Sequence, residues 1–138
     1  MTRYLGVDYG TKRIGLAISD AGGTIASPLV TVEARGAVAD HVNAVLAETD
    51  DYAFDEIVVG LPLNMDGTEG EQARKTRGFG DALGAASGKP VRYFDERLSS
   101  LEAEEKLREA DLGRGKKKAR VDALAAQITL QEFLDTLQ

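Results

Sequence analysis

Apolar positions in the first 32 residues come in three short runs, each cut by glycine or charge: Tyr4 to Val7, Ile14 to Ile18 and Thr24 to Val32. Runs of that length, joined by "DYGTKR" and "SDAGG", predict three strands in an antiparallel meander. Pro28 interrupts the third run, and a proline cannot donate to an inner ladder, so that strand belongs at an edge. From Ala37 to Leu46 the period changes, with Val38, His41, Val42, Val45 and Leu46 at the spacing of an amphipathic helix. His41 is on the apolar side of that helix with no candidate ligand near it in sequence, and it reads as structural. "DEIVVGLP" is a compact β-branched run ending at Gly60 and Pro62, the pattern of a buried parallel strand.

The second half alternates in the same way. "LNMDGTEG" is a loop in which Asp66 is a turn residue, and Thr68 with Glu71 three positions later has the spacing of a capping box. The helix predicted over Gly70 to Ala86 is weakened by Gly78, Gly80 and Gly84, each costing about 1 kcal/mol against alanine. Gly78 or Gly80 marks a close approach to another element. Val91 to Phe94 returns to strand. A helix from Ser99 to Ala110 follows, with Ser99 or Ser100 as N-cap and Leu101 and Leu107 as anchors. "DLGRGKKK" reads as a mobile cationic link, and the last helix runs from Ala119 to Leu137. The order β-β-β-α-β-α-β-α-α gives an α/β fold: a mixed five-stranded sheet, meander plus two parallel strands, with helices packed on it. At 138 residues, without an internal repeat or linker, the chain reads as one domain spanning 1–138.

Charge complicates this picture. Seventeen Lys and Arg against 23 Asp and Glu leave a net charge of −6, which disfavours binding nucleic acid over the whole surface. The cations are uneven, however: Arg114, Lys116, Lys117, Lys118 and Arg120 crowd into "GRGKKKAR". Cysteine is absent, and no window approaches a membrane span or a secretory leader, so a cytoplasmic setting without membrane contact is expected.

The acids supply the candidate chemistry. Asp8 ends the first strand, and Asp95 and Glu96 end the last. If the first, fourth and fifth strands are parallel neighbours, Asp8 and Glu96 emerge at the same end of the sheet, where open sheets gather ligands. A final helix packed across that end, with Leu124, Ala125, Ala126 and Ile128 toward the sheet, adds Asp122. Asp95 reads as a cap or brace. Three adjacent carboxylates repel unless a cation sits among them. All-oxygen ligation without histidine or cysteine suits Mg²⁺ or Mn²⁺. Paired ions on carboxylates clamp an in-line phosphodiester displacement. Lys12 and Arg13 beside Asp8, and the cationic run near Asp122, are then the candidate contacts to nucleic acid. Stacking platforms are few, with Tyr9, Tyr93 and Phe94 the aromatics near this end.

"LGVDYGTKRIGLAISD", "IVVGLPLNMDGTEG", "YFDERLSS" and "KKKARVDALAAQITLQEFL" together resemble the YqgF/RuvX family over essentially the whole chain. Its members are small bacterial proteins with an RNase H-like fold, related to the RuvC Holliday junction resolvases and described as pre-16S rRNA nucleases. The resemblance implies metal-dependent cleavage of structured nucleic acid in maturation of the small-subunit rRNA 5′ end, and association with the small-subunit precursor. Its acidic centre matches Asp8, Glu96 and Asp122. Ser100 stands where the family pattern leads one to expect threonine. Two other readings stay open: a Holliday junction resolvase acting on DNA as a two-fold dimer, and a non-catalytic RNA-binding assembly factor on the same fold. "DYGTKRIG" also resembles the phosphate-binding hairpin of sugar kinases and actin-like ATPases, but those close a cleft between two duplicated domains, and this sequence holds one copy of the hairpin.

Overall fold

The computed structural model describes residues 1–96 and 114–138, the latter by backbone alone up to 121. Among the described residues there are five strands: β1 (Tyr4–Tyr9), β2 (Arg13–Ser19), β3 (Ala26–Glu33), β4 (Glu56–Leu61) and β5 (Val91–Asp95). Among the described residues there are three helices: α1 (Val38–Thr49), α2 (Glu71–Ser87) and α3 (Arg114–Asp135). The strand order is β3-β2-β1-β4-β5. β1, β2 and β3 form the antiparallel meander, and β1-β4 and β4-β5 pair in parallel. β3 is the edge strand that Pro28 calls for. Its register shifts beside that proline, where Ala17 faces Pro28 while Leu16 faces Val30.

Strand alternation divides the core between the two faces of the sheet. On one face Leu5, Val7, Ile14, Leu16, Ile57 and Val59 pack under α1 and α2, against Val42, Val45, Phe79 and Leu83. On the other, Tyr4, Ala17 and Val58 pack under α3, against Ala126, Leu130 and Leu134. His41 is buried in the first layer, its Nδ1 2.7 Å from the Tyr9 hydroxyl, in keeping with a structural role. Among the described residues, no helix is long and apolar enough to cross a membrane.

Several local expectations change. The Thr68–Glu71 capping box does not form, because Asp66 captures the Thr68 hydroxyl (2.6 Å) and amide (3.0 Å) within the loop; Gly70 is the N-cap instead. The predicted link is already helical from Arg114: Gly115 falls in the first turn, and the Lys, Arg and Ala that follow are good helix formers continuing a packed helix. On α3 the buried stripe is Ala123, Ala126, Leu130 and Leu134, together with Ile128, while Leu124 and Ala125 are only half-buried. Close approach in α2 belongs to Gly80, under the Tyr93 ring, and to Gly84, under Val91; Gly78 faces open space. The helix predicted for 99–110, with Ser99, Ser100, Leu101 and Leu107, lies outside the described residues.

Candidate acidic active site

Asp8 remains within β1, opposite Gly15 of β2. Directly opposed residues share a sheet face, so the Asp8 carboxylate points to the α3 side. A Cβ at Gly15 would collide with the carbonyl of Asp122, so α3 rests its backbone on that glycine. The contact sets Asp122 beside Asp8 across 114 residues of sequence. Glu96 follows β5 directly, and its carboxyl lies over Gly60 of β4, another position where a side chain would block it. Gly6, under Leu130, completes a floor of glycines on three strands that lets α3 come close. Sequence reasoning missed this floor. Its signal was a glycine in each apolar run at positions that alternate onto one face.

The site is therefore acidic, buried and crowded. Burial is the main force raising the Asp8 carboxyl above its usual range; the Glu96 hydrogen bond opposes this and the Asp122 charge adds to it. Glu96 is pushed up to about 8, first by burial, then by the charge and hydrogen bond of Asp8, with Asp95 contributing. In the absence of a cation the two side chains share a proton, Glu96 donating to the Asp8 carboxylate. Asp122 is held from its other side: Arg13 Nε donates to its Oδ2 at 2.7 Å. Among the described residues, no three His, Cys, Asp or Glu side chains are gathered closely enough to hold a metal ion as they stand.

Arg13 also lines a cleft of about 330 Å³ with Thr11, Lys12, Glu33, Ala34 and Arg35. Arg35, at the end of β3, was not singled out from sequence; only folding brings it to the β1–β2 turn. Arg114, Lys116, Lys117, Lys118 and Arg120 occupy the first turns of α3, immediately before Asp122. The aromatics are committed elsewhere. Tyr9 stacks on Phe79 at 4.1 Å, the Tyr93 hydroxyl donates to Asp81 at 2.6 Å, and Phe94 packs edge-on against Phe133.

A five-stranded sheet of this order, with an acidic centre at the exit of its parallel strands, defines the class: an RNase H-like α/β fold of the RuvC type. RuvC of Thermus thermophilus in complex with a Holliday junction substrate shares it at a TM-score of 0.62 over 99% of this chain and 96% of that one; at 16% sequence identity the likeness is one of fold. The chain belongs to the RuvX family, described as Holliday junction resolvase, whose pattern matches residues 2–136. A protein of Anaeromyxobacter sp. (strain K) is 50% identical over 133 residues, covering 96% of each chain, and one of Halothermothrix orenii is 44% identical, covering 96% of this chain and 94% of its own. Both carry the name "Putative pre-16S rRNA nuclease".

Proposed function

We propose that this protein is a divalent-metal-dependent nuclease that hydrolyses phosphodiester bonds in structured nucleic acid, with the 5′ region of precursor small-subunit rRNA as its substrate. The observation that carries the reading is the buried Asp8–Glu96 pair beside Asp122, in a chain half identical to a relative bearing the nuclease name. The donor set fits the metal. Carboxylates pressed together out of water, with a proton held between them, suit a hard divalent cation, and Mg²⁺ or Mn²⁺ accepts such all-oxygen ligands. Asp8, Glu96 and Asp122 would hold it. When bound, such an ion activates water and stabilises the leaving oxygen of an in-line displacement.

The chain's own residues prepare for that event. To hold a cation, Asp8 and Glu96 would have to lose the proton between them, and their burial would strengthen the attraction of the two carboxylates for it. Arg13 touches Asp122 and Lys12 adjoins it in the chain, while Arg114, Lys116, Lys117, Lys118 and Arg120 precede Asp122 on α3; these cations would offer charge to backbone phosphates. The acidic net charge is thus no objection, because grip needs only a basic rim. Association with the small-subunit precursor in the cytoplasm accompanies this reading, and one folded domain suffices for it.

The test incubates the protein with a precursor-rRNA 5′ fragment and with a four-way DNA junction, in Mg²⁺, Mn²⁺ or chelator. The rRNA fragment is expected to be cut in either metal and spared in chelator. Preferential cutting of the junction would move the substrate to DNA. Tight, salt-dependent RNA binding without cleavage would replace the nuclease with an assembly factor on the same fold.

A further inference from the structure

Asp122 is held at two points, its backbone and its carboxylate. Its backbone is seated on Gly15, where no side chain intervenes, so the residue cannot move without lifting α3. Its carboxylate can still turn about the side-chain bonds, between the acidic pair on one side and Arg13 on the other. The guanidinium holds it at 2.7 Å, with the Arg13 side chain 34% exposed and that of Asp122 21% exposed. Arg13 is itself anchored at the start of β2, where its carbonyl accepts from Gly10 N–H at 2.9 Å to close the β1–β2 turn. Its side chain faces both the carboxylate and the basic cleft it shares with Lys12 and Arg35.

We propose that Arg13 is a positioning residue that parks Asp122, holding the third carboxylate while no divalent cation is present and releasing it when the cation enters. This rests on the metal-nuclease reading. It explains why an acidic centre so crowded is tolerated without metal: one of its charges is neutralised from within the fold. It also explains why the three acids are adjacent yet not gathered round a point. On release, the guanidinium is left at the mouth of the cleft, where the carboxylate of Glu33 is already paired with Arg35, and a backbone phosphate of the nucleic acid is the group it suits, by bidentate hydrogen bonding. Metal loading and substrate grip then share one side chain, and each favours the other.

The experiment is calorimetric titration of Mn²⁺ into the full chain at pH 8 without nucleic acid. Arg13→Gln is expected to bind Mn²⁺ roughly three- to tenfold more tightly than the wild type, the size of a half-buried ion pair lost as a competitor. Arg35→Gln, which removes a cation of the same cleft that does not touch Asp122, leaves Mn²⁺ affinity unchanged. In an Asp122→Asn background Arg13→Gln adds nothing further, because Arg13 acts through that carboxylate. Unchanged or weaker Mn²⁺ binding in Arg13→Gln overturns the proposal, as does equal tightening in Arg35→Gln, which would reflect net charge alone. Should Arg13→Gln fail to fold, Arg13→Lys decides: a lone ammonium holds Asp122 less firmly, so affinity rises about twofold, and no rise overturns the proposal. A wild-type protein that binds no Mn²⁺ overturns the metal-nuclease reading and the parking role together, whereas one that binds Mn²⁺ with no response to Arg13 removes the parking role alone.

Discussion

Asp8→Asn eliminates cleavage and at the same time stabilises the metal-free protein at alkaline pH. The activity loss is at least about a hundredfold, as for removal of a central ligand. The stability gain follows from the shared proton. Glu96 is held near 8 against an ordinary value of 4.5, so between those values the folded chain retains a proton that the unfolded chain releases. The contribution of this pair is complete below about 4.5 and is lost as pH rises through about 8, so metal-free stability falls across that window. Asparagine removes the charge that opposes Glu96 and keeps an amide to donate to it. Urea denaturation with chelator should therefore show Asp8→Asn more stable than the wild type by about 1–3 kcal/mol at pH 9, with the difference shrinking toward pH 5. Millimolar Mg²⁺ should flatten the wild-type slope and leave the variant unaffected. A variant less stable than the wild type at pH 9 would mean that the two carboxyls are not in opposition.

Gly15→Ala and Gly78→Ala, the same change at two glycines, are expected to act with opposite signs. At Gly15 the new Cβ meets the Asp122 carbonyl, a backbone atom that cannot swing aside. Either α3 lifts from β2 or the strand buckles, at a cost of about 3 kcal/mol. Asp122 moves with the helix, so cleavage falls in the fraction that still folds. At Gly78 a Cβ meets nothing within 4 Å, and the position is an exposed helix interior. Alanine there stabilises by about 0.5–1 kcal/mol through helix propensity, with activity unchanged. Thermal melts of both variants beside a cleavage assay separate the outcomes. A tolerated Gly15→Ala with full activity would show that the helix does not depend on this contact to place Asp122.

The parts of the structure that could be read from sequence are those governed by local period. Alternating runs gave the strands, Pro28 gave the edge, and helical crossovers gave the parallel neighbours that bring Asp8 and Glu96 to one end. What escaped depends on pairing across distance. The stripe on α3 is set by the glycine floor beneath it, which promotes Ala123 over Leu124. Arg13 reads only as a candidate phosphate contact, and its ion pair with Asp122, 109 positions later, has no local signal. The Thr68 cap was lost to a competitor two residues away, because Asp66 reaches the hydroxyl first. Arg13 and Thr68 each have two chemically adequate partners, and the sequence alone does not rank them.

On the proposed reading, Asp8, Glu96 and Asp122 together bind a divalent cation. The most direct measurement is anomalous scattering from crystals of the full chain grown with Mn²⁺ at pH 8. An anomalous peak is expected among these three carboxylates, with the Asp122 side chain turned from Arg13 toward Asp8. Manganese found only elsewhere, with Glu96 still hydrogen-bonded to Asp8 and Asp122 still on Arg13, would contradict it.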